Sequence, residues 1–192
     1  MTNTDILRWI KTNFGPIISQ AIAAAKGKNP HVPYTEDWLA GIQCRESGGI
    51  IAKHLPAMLN LPSGRQLASL MPLMKGDWNQ REHDAEPMYH GYGPYQADIA
   101  SFPAWIKSGA WQDPAKAASM AIEILEGKRL FLQPHFPDLA GDLLERAITA
   151  AYNCGEGNVR DVLNEGHDID IRTTDKNYSA QIWEFRKVYQ TL

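Results

Sequence analysis

"TEDWLAGIQCRESGG", residues 35–49, is the stretch on which the fold turns. It reads as a helix. Thr35 is a candidate N-cap, and Glu36 and Asp37 fall in the first turn, where the helix dipole favours negative charge. Trp38, Leu39 and Ile42 form an apolar stripe, and the next step of four along it lands on Glu46. Glu46 is therefore predicted to project from the buried face. Gly48 and Gly49 are expected to end the helix just beyond it. Burial and the negative end of a helix both disfavour a charged carboxylate, so the spacing predicts a carboxyl group that keeps its proton. That is the state a general acid needs. A helix-end glutamate swung out to solvent, or paired with Arg45, is the plainer alternative.

The bulk properties bound the rest. A chain of 192 residues suits one domain, or one domain with an elaborated end, and can bury a sizeable core. A net charge of -3 without any basic stripe argues against nucleic acid as a partner. No window reaches the ~18 apolar residues of a spanning helix, so no membrane span is expected. "MTNTDILRWIKTNFG" lacks the basic and apolar regions of a secretory signal peptide. Two cysteines, Cys44 and Cys154, make no disulfide framework, and two buried free thiols are the expected state.

Along the chain the pattern is mostly helical. "TDILRWIKTNFGPIISQAIAAAKGK" reads as one helix kinked or broken at Gly15-Pro16, where proline removes a backbone donor. Residues 29–33 form a linker. Residues 50–90 are the least regular part, with a short helix over Ser63–Leu70 capped by Ser63 and loops after it. "YHGYGPYQADIA" predicts a small hairpin or extended turn. Asp113-Pro114 is a helix start running to about Leu132, and Pro137-Asp138 starts a helix that closes near Gly155. "GNVRDVLNEG" is a shorter helix, and Asn177 is placed to cap the last one.

Two further constellations bear on chemistry. In "LLERAITAAYNCGEGN", Leu144, Ile148 and Tyr152 stack at i,i+4 spacing, with Asn153 in the last turn. This suits a buried helix with a glycine C-cap. It also suits a hydroxyl and an amide placed at a cleft edge to hold a sugar or orient a carboxyl group. "GYGPYQAD" offers Tyr92, Tyr95, Gln96 and Asp98, and aromatic faces beside amides suit carbohydrate, although a tight turn with two packing tyrosines has the same composition. His83, Asp84, Glu86 and His90 in "REHDAEPMYH" are ligand types. Their spacing matches no strong zinc or calcium pattern, so a solvated loop is expected, with no metal and no cofactor.

Taken in order, these stretches resemble the goose-type lysozyme and soluble lytic transglycosylase group, family 23 of the glycoside hydrolases. Glu-Ser at a helix end, a Gly-aromatic-Gly turn with a glutamine, "AAYNCGEGNV", and a tyrosine opening the final helix carry the resemblance over roughly residues 35–190. "AAYNCGEGNV" is the most specific piece, being similar to the family's Ala-Tyr-Asn-Ala-Gly stretch. The resemblance implies a single mainly α, lysozyme-like α+β domain over residues 1–192, with a small β-hairpin beside an active-site cleft. Residues 1–30 become an N-terminal helical extension. Positions 46 and 91 are 45 apart, far more than in goose-type lysozymes, which makes residues 50–90 an insertion. Pro94-Tyr95 and Cys154 are departures from the family pattern.

The implied activity is cleavage of the β-1,4 bond between N-acetylmuramic acid and N-acetylglucosamine in peptidoglycan. Carried over by position, Glu46 is the general acid, while Ser47, Gln96, Tyr152, Asn153 and Tyr178 line the cleft or orient the acid; Tyr92 and Tyr95 join them as substrate-binding candidates by residue type. Asp98 matches a goose-type aspartate, and Asp84 lies nearest by distance from the glycine turn to the second one, ahead of Glu86 and Asp77. If either carboxylate holds a water about 6.5–9.5 Å from Glu46, the reaction is inverting hydrolysis, which the presence of Asp98 favours. Without such a carboxylate, Glu46 works alone and a transglycosylase gives 1,6-anhydro products. A chitin-cleaving enzyme and a non-catalytic glycan-binding module are the rivals. The expected partners are glycan strands and an immunity or inhibitor protein, the chain itself being a monomer. Peptidoglycan lies outside the cytoplasm, so delivery by phage lysis or contact-dependent secretion is the expectation.

Overall fold

A computed structural model describes residues 1–79 and 88–192. These are mostly helical, with one small antiparallel sheet. The helices are α1 (Asn3–Asn13), α2 (Gly15–Lys28), α3 (Glu36–His54), α4 (Ser63–Leu70), α5 (Pro103–Lys107), α6 (Pro114–His135), α7 (Gly141–Cys154), α8 (Glu156–Asn164) and α9 (Tyr178–Thr191). The strands are β1 (Lys75–Asn79), β2 (Met88–Tyr92) and β3 (Ala97–Asp98), in that order across the sheet. Among the described residues, no helix is long and apolar enough to cross a membrane.

The helix α3 runs through the centre of the core. Its Trp38, Leu39 and Ile42 are fully buried, as the apolar stripe requires. It packs on α1, α2 and α9. A side chain at Gly41 would press on the backbone carbonyl of Ile182 at 3.2 Å, so glycine there lets α3 and α9 approach closely. Trp38 Nε1 donates to Thr149 Oγ1 at 2.9 Å and ties α3 to α7. The chain breaks at Gly15-Pro16 into α1 and α2, and both bury residues, such as Leu7, Ile10 and Ile18, in the same core cluster.

Several elements differ from the sequence reading, each for a local reason. Gly48 and Gly49 do not end α3, which continues to His54. Neither glycine takes a positive φ. Beyond them Ile51 and Leu55 are fully buried. That burial contributes about 1.5–3 kcal/mol per side chain, which outweighs the ~1 kcal/mol cost of each helical glycine. Glu46 therefore lies within the helix, and the negative helix end cannot act on it as expected.

Helix α7 starts at Gly141 rather than at Pro137-Asp138, because Phe136 and Leu139 pack on the core and hold a turn between them (Leu139 N to Phe136 O, 3.0 Å). Strand β1 lies where loops were expected. Its sequence has little strand preference, and pairing with β2 supplies the order instead. The short helix α4 falls on Ser63–Leu70, but Pro62 occupies the cap position. Both cysteines are free thiols, Cys44 buried and Cys154 half-buried, and burial pushes the Cys44 thiol up to about 12.

Candidate active site

The middle of α3 delivers Glu46 half-buried into a cleft of about 420 Å³. Gln96, Asn153 and Tyr178 line the same cleft, so four of the sequence-derived site residues meet there. They arrive from a turn, the last turn of α7 and the first residue of α9. Tyr178 donates its hydroxyl to Glu46 Oε1 across 132 positions of sequence. Burial first, and then the charge of Glu46, push the Tyr178 hydroxyl well above the ordinary tyrosine value. It therefore remains a donor over the whole neutral range.

Tyr152 lies close enough to feel the same charge. Burial and then Glu46 raise its hydroxyl well above the usual range. Its hydrogen bond goes to the backbone carbonyl of Tyr95 at 2.6 Å, so it anchors the Tyr95 turn to α7. Asn153 Oδ1 accepts from the backbone N–H of Thr174 at 2.9 Å and fixes the segment that leads into Tyr178.

Gln96 sits in the left-handed region at φ 49, uncommon for a residue with a side chain. Its Nε2 donates back to the Gly93 carbonyl at 2.7 Å. Its carboxamide lies over Gly76 and Gly91, which face each other across β1 and β2, and a side chain at either glycine would collide with it. The glycine pair is thus what lets Gln96 lie flat on the sheet and reach the cleft.

Other expected residues take different positions. Ser47 is fully buried and its hydroxyl donates to the Gln43 carbonyl within α3 at 2.9 Å, so it faces its own helix. Tyr95 is buried in the core, with no hydrogen-bond partner for its hydroxyl among the described residues. Tyr92 packs edge-on against Trp111, ring centres 5.4 Å apart. Asp98 is occupied by its own turn: Oδ1 accepts from Ala100 N at 3.2 Å and pairs with His90 Nδ1 at 3.2 Å, while Oδ2 accepts from Ser101 N and Oγ. Burial works to raise its carboxyl, but the His90, Ala100 and Ser101 bonds outweigh it and hold it below the usual range. It is not among the residues lining the cleft. Asp84, His83 and Glu86 lie outside the described residues, and the described ones contain no group suited to hold a metal ion.

The cleft also holds residues that sequence reasoning did not place there. Asp175 and Thr174 line it, and so does Arg45, whose Nη2 pairs with Asp175 Oδ2 at 2.9 Å rather than with Glu46. Asp175 and Lys176 carry positive φ of 57 and 55, a conformation that no glycine signals in "TTDKNY".

No family model matches the chain, and no curated protein does.

Proposed function

We propose that the chain cleaves the β-1,4 bond between N-acetylmuramic acid and N-acetylglucosamine in peptidoglycan, with Glu46 as general acid. The observation that carries this reading is the meeting of Glu46 with the buried Tyr178 hydroxyl in a cleft bordered by Asn153 and Gln96. A carboxyl group oriented by a permanent donor, beside amides able to bond sugar hydroxyls, suits protonation of a glycosidic oxygen. Arriving from mid-helix, Glu46 is held on a rigid element, as positioned acid catalysis requires.

Both oxygens of Asp98 are bonded within its own turn, which favours a second reading of the same site. Glu46 then acts first as acid and afterwards as base. It takes the proton from the muramic acid 6-hydroxyl as that oxygen attacks the anomeric carbon, giving a 1,6-anhydro product. Digestion of purified peptidoglycan with mass spectrometry of the soluble products tests both. Reducing muramic acid ends identify a hydrolase, and products one water lighter identify a lytic transglycosylase. Glu46→Gln is expected to abolish release while leaving the thermal unfolding midpoint near that of the parent. Parent-like release by that variant would overturn the assignment. Turnover of chitin oligomers matching that of peptidoglycan would move it to a chitin-cleaving enzyme.

A further inference from the structure

Arg45 stands next to Glu46 in sequence, yet its guanidinium does not serve that carboxylate. It reaches Asp175 at 2.9 Å and lies 5.7 Å from the centre of the Tyr178 ring. Its side chain is 21% exposed and Asp175's is 67% exposed. The two partners are thus unequal: a packed cation within the cleft and a loosely held anion on its rim.

An ion pair this exposed contributes little to stability. Exchanging Asp175 for another carboxylate is therefore cheap. The planar fork of an arginine offers five N–H donors, and Asp175 takes one of them, so the receptor is only partly filled. Ring contact with Tyr178 holds the fork beside the residue that orients Glu46, and stacked guanidinium groups lose less freedom on binding than lysines do.

We propose that Arg45 is the carboxylate receptor of the cleft, and that Asp175 occupies it in the free protein until an anionic sugar substituent replaces it. The inference rests on the glycan-cleaving reading above and deepens it by naming the substrate class. The ligand chemistry is an acidic ether side chain on an amino sugar, as the lactyl group of muramic acid provides where no stem peptide is amide-linked to it. Chitin, an uncharged polymer of N-acetylglucosamine, has no carboxylate to offer Arg45. Asp175 is then a placeholder that competes with substrate, not a catalytic base.

A matched pair of ligands tests this. N-acetylglucosaminyl-N-acetylmuramic acid and N,N′-diacetylchitobiose are both disaccharides of N-acetylated amino sugars, and only the first carries the lactyl carboxylate. Their dissociation constants are measured by calorimetry on the full chain carrying Glu46→Gln, so that neither is turned over. The acidic ligand is expected to bind more tightly. Adding Arg45→Gln should shrink that preference about tenfold or more, as loss of a charge-assisted bond does. Arg45→Lys should fall between, because it keeps the charge and loses the fork. Adding Asp175→Asn should shift the preference the other way, tightening the acidic ligand several-fold.

The opposite signs are the signature of a receptor and its placeholder. A merely structural brace would weaken both ligands equally in both variants, and that result overturns the proposal. Equal binding of the two ligands, or binding of neither, overturns it as well. Release of muropeptides by the unmodified chain is scored separately. If release occurs and the preference is absent, only this inference falls. If the preference is present and release is absent, the cleavage reading falls and the carboxylate receptor stands.

Discussion

The sharpest perturbation of the proposed chemistry is Tyr178→Phe. The Tyr178 ring is 1% exposed, so phenylalanine keeps its packing and removes only the hydroxyl that donates to Glu46. A hydrogen bond to a neutral partner contributes about 0.5–1.5 kcal/mol, and one to a charged partner about 1.5–3 kcal/mol. In the proposed step Glu46 starts as a neutral acid and gains negative charge as the proton leaves. The bond therefore strengthens by about 1–2 kcal/mol on the way to the transition state, and only such a gain accelerates the step. Its loss converts to a fall of roughly 5- to 30-fold in kcat, with kcat/KM falling equally and KM unchanged. The assay is initial-rate release of products from soluble glycan strands, below and above saturation, with thermal unfolding recorded in parallel. Tyr152→Phe is the internal control, since that hydroxyl bonds the Tyr95 carbonyl and not Glu46. It should cost stability and leave kcat closer to the parent value. A Tyr178→Phe variant within twofold of parent kcat, or one whose whole deficit lies in KM, would refute the reasoning.

Two further outcomes concern the fold. Tyr34, Tyr95, Tyr178 and Tyr189 are all buried, and burial raises each hydroxyl above the ordinary tyrosine value of about 10. The native state keeps these protons while the unfolded chain loses them above about pH 10. The buried Cys44 thiol starts the same fall near pH 9, and above about pH 10 stability should drop by about 1.4 kcal/mol per pH unit for each of these tyrosines. Urea midpoints that agree between pH 9 and pH 11 would contradict this. Gln43 is fully buried on α3, with neither its Oε1 nor its Nε2 partnered among the described residues. Gln43→Met keeps the volume and removes both polar groups, so unfolding should become harder by about 1–2 kcal/mol. A lowered thermal midpoint in that variant would show that the amide is satisfied in solution.

What the sequence made legible was periodic. The stripe through Trp38, Leu39, Ile42 and Glu46 put the glutamate on the inner face of α3, and the stack ending at Tyr152 put α7 beside it. The Asp113 cap was equally plain, its carboxylate accepting from Ala115 and Lys116. What stayed hidden depends on contacts distant in sequence. Nothing local in "KGDWN" prepares a strand, since β2 orders it. Nothing local in "TTDKNY" announces a left-handed aspartate, because Arg45 and Asn153 hold that segment from α3 and α7. Asp98 looked like a water-holding carboxylate by type, but side-chain bonds to its own turn cannot be read from residue type.

The helix that fails to stop at Gly48 changes the physics of the site more than its shape. At a helix end, the dipole would have been one of two forces acting on Glu46. Within the helix that force is gone, while the neighbouring hydroxyls of Tyr178 and Tyr152 still bear on it. The two tyrosines come from α7 and α9, so the proposed acid sits on one helix with neighbours from two others. A mid-helix carboxyl has little freedom to move, which leaves adjustment to the partners at the helix ends: the Asn153–Thr174 link, the Asp175 rim and the Gln96 turn. Substrate selection and acid positioning are then separable. Changes at Arg45 and Asp175 should alter which glycan binds, and changes at Tyr178 how fast it is cut.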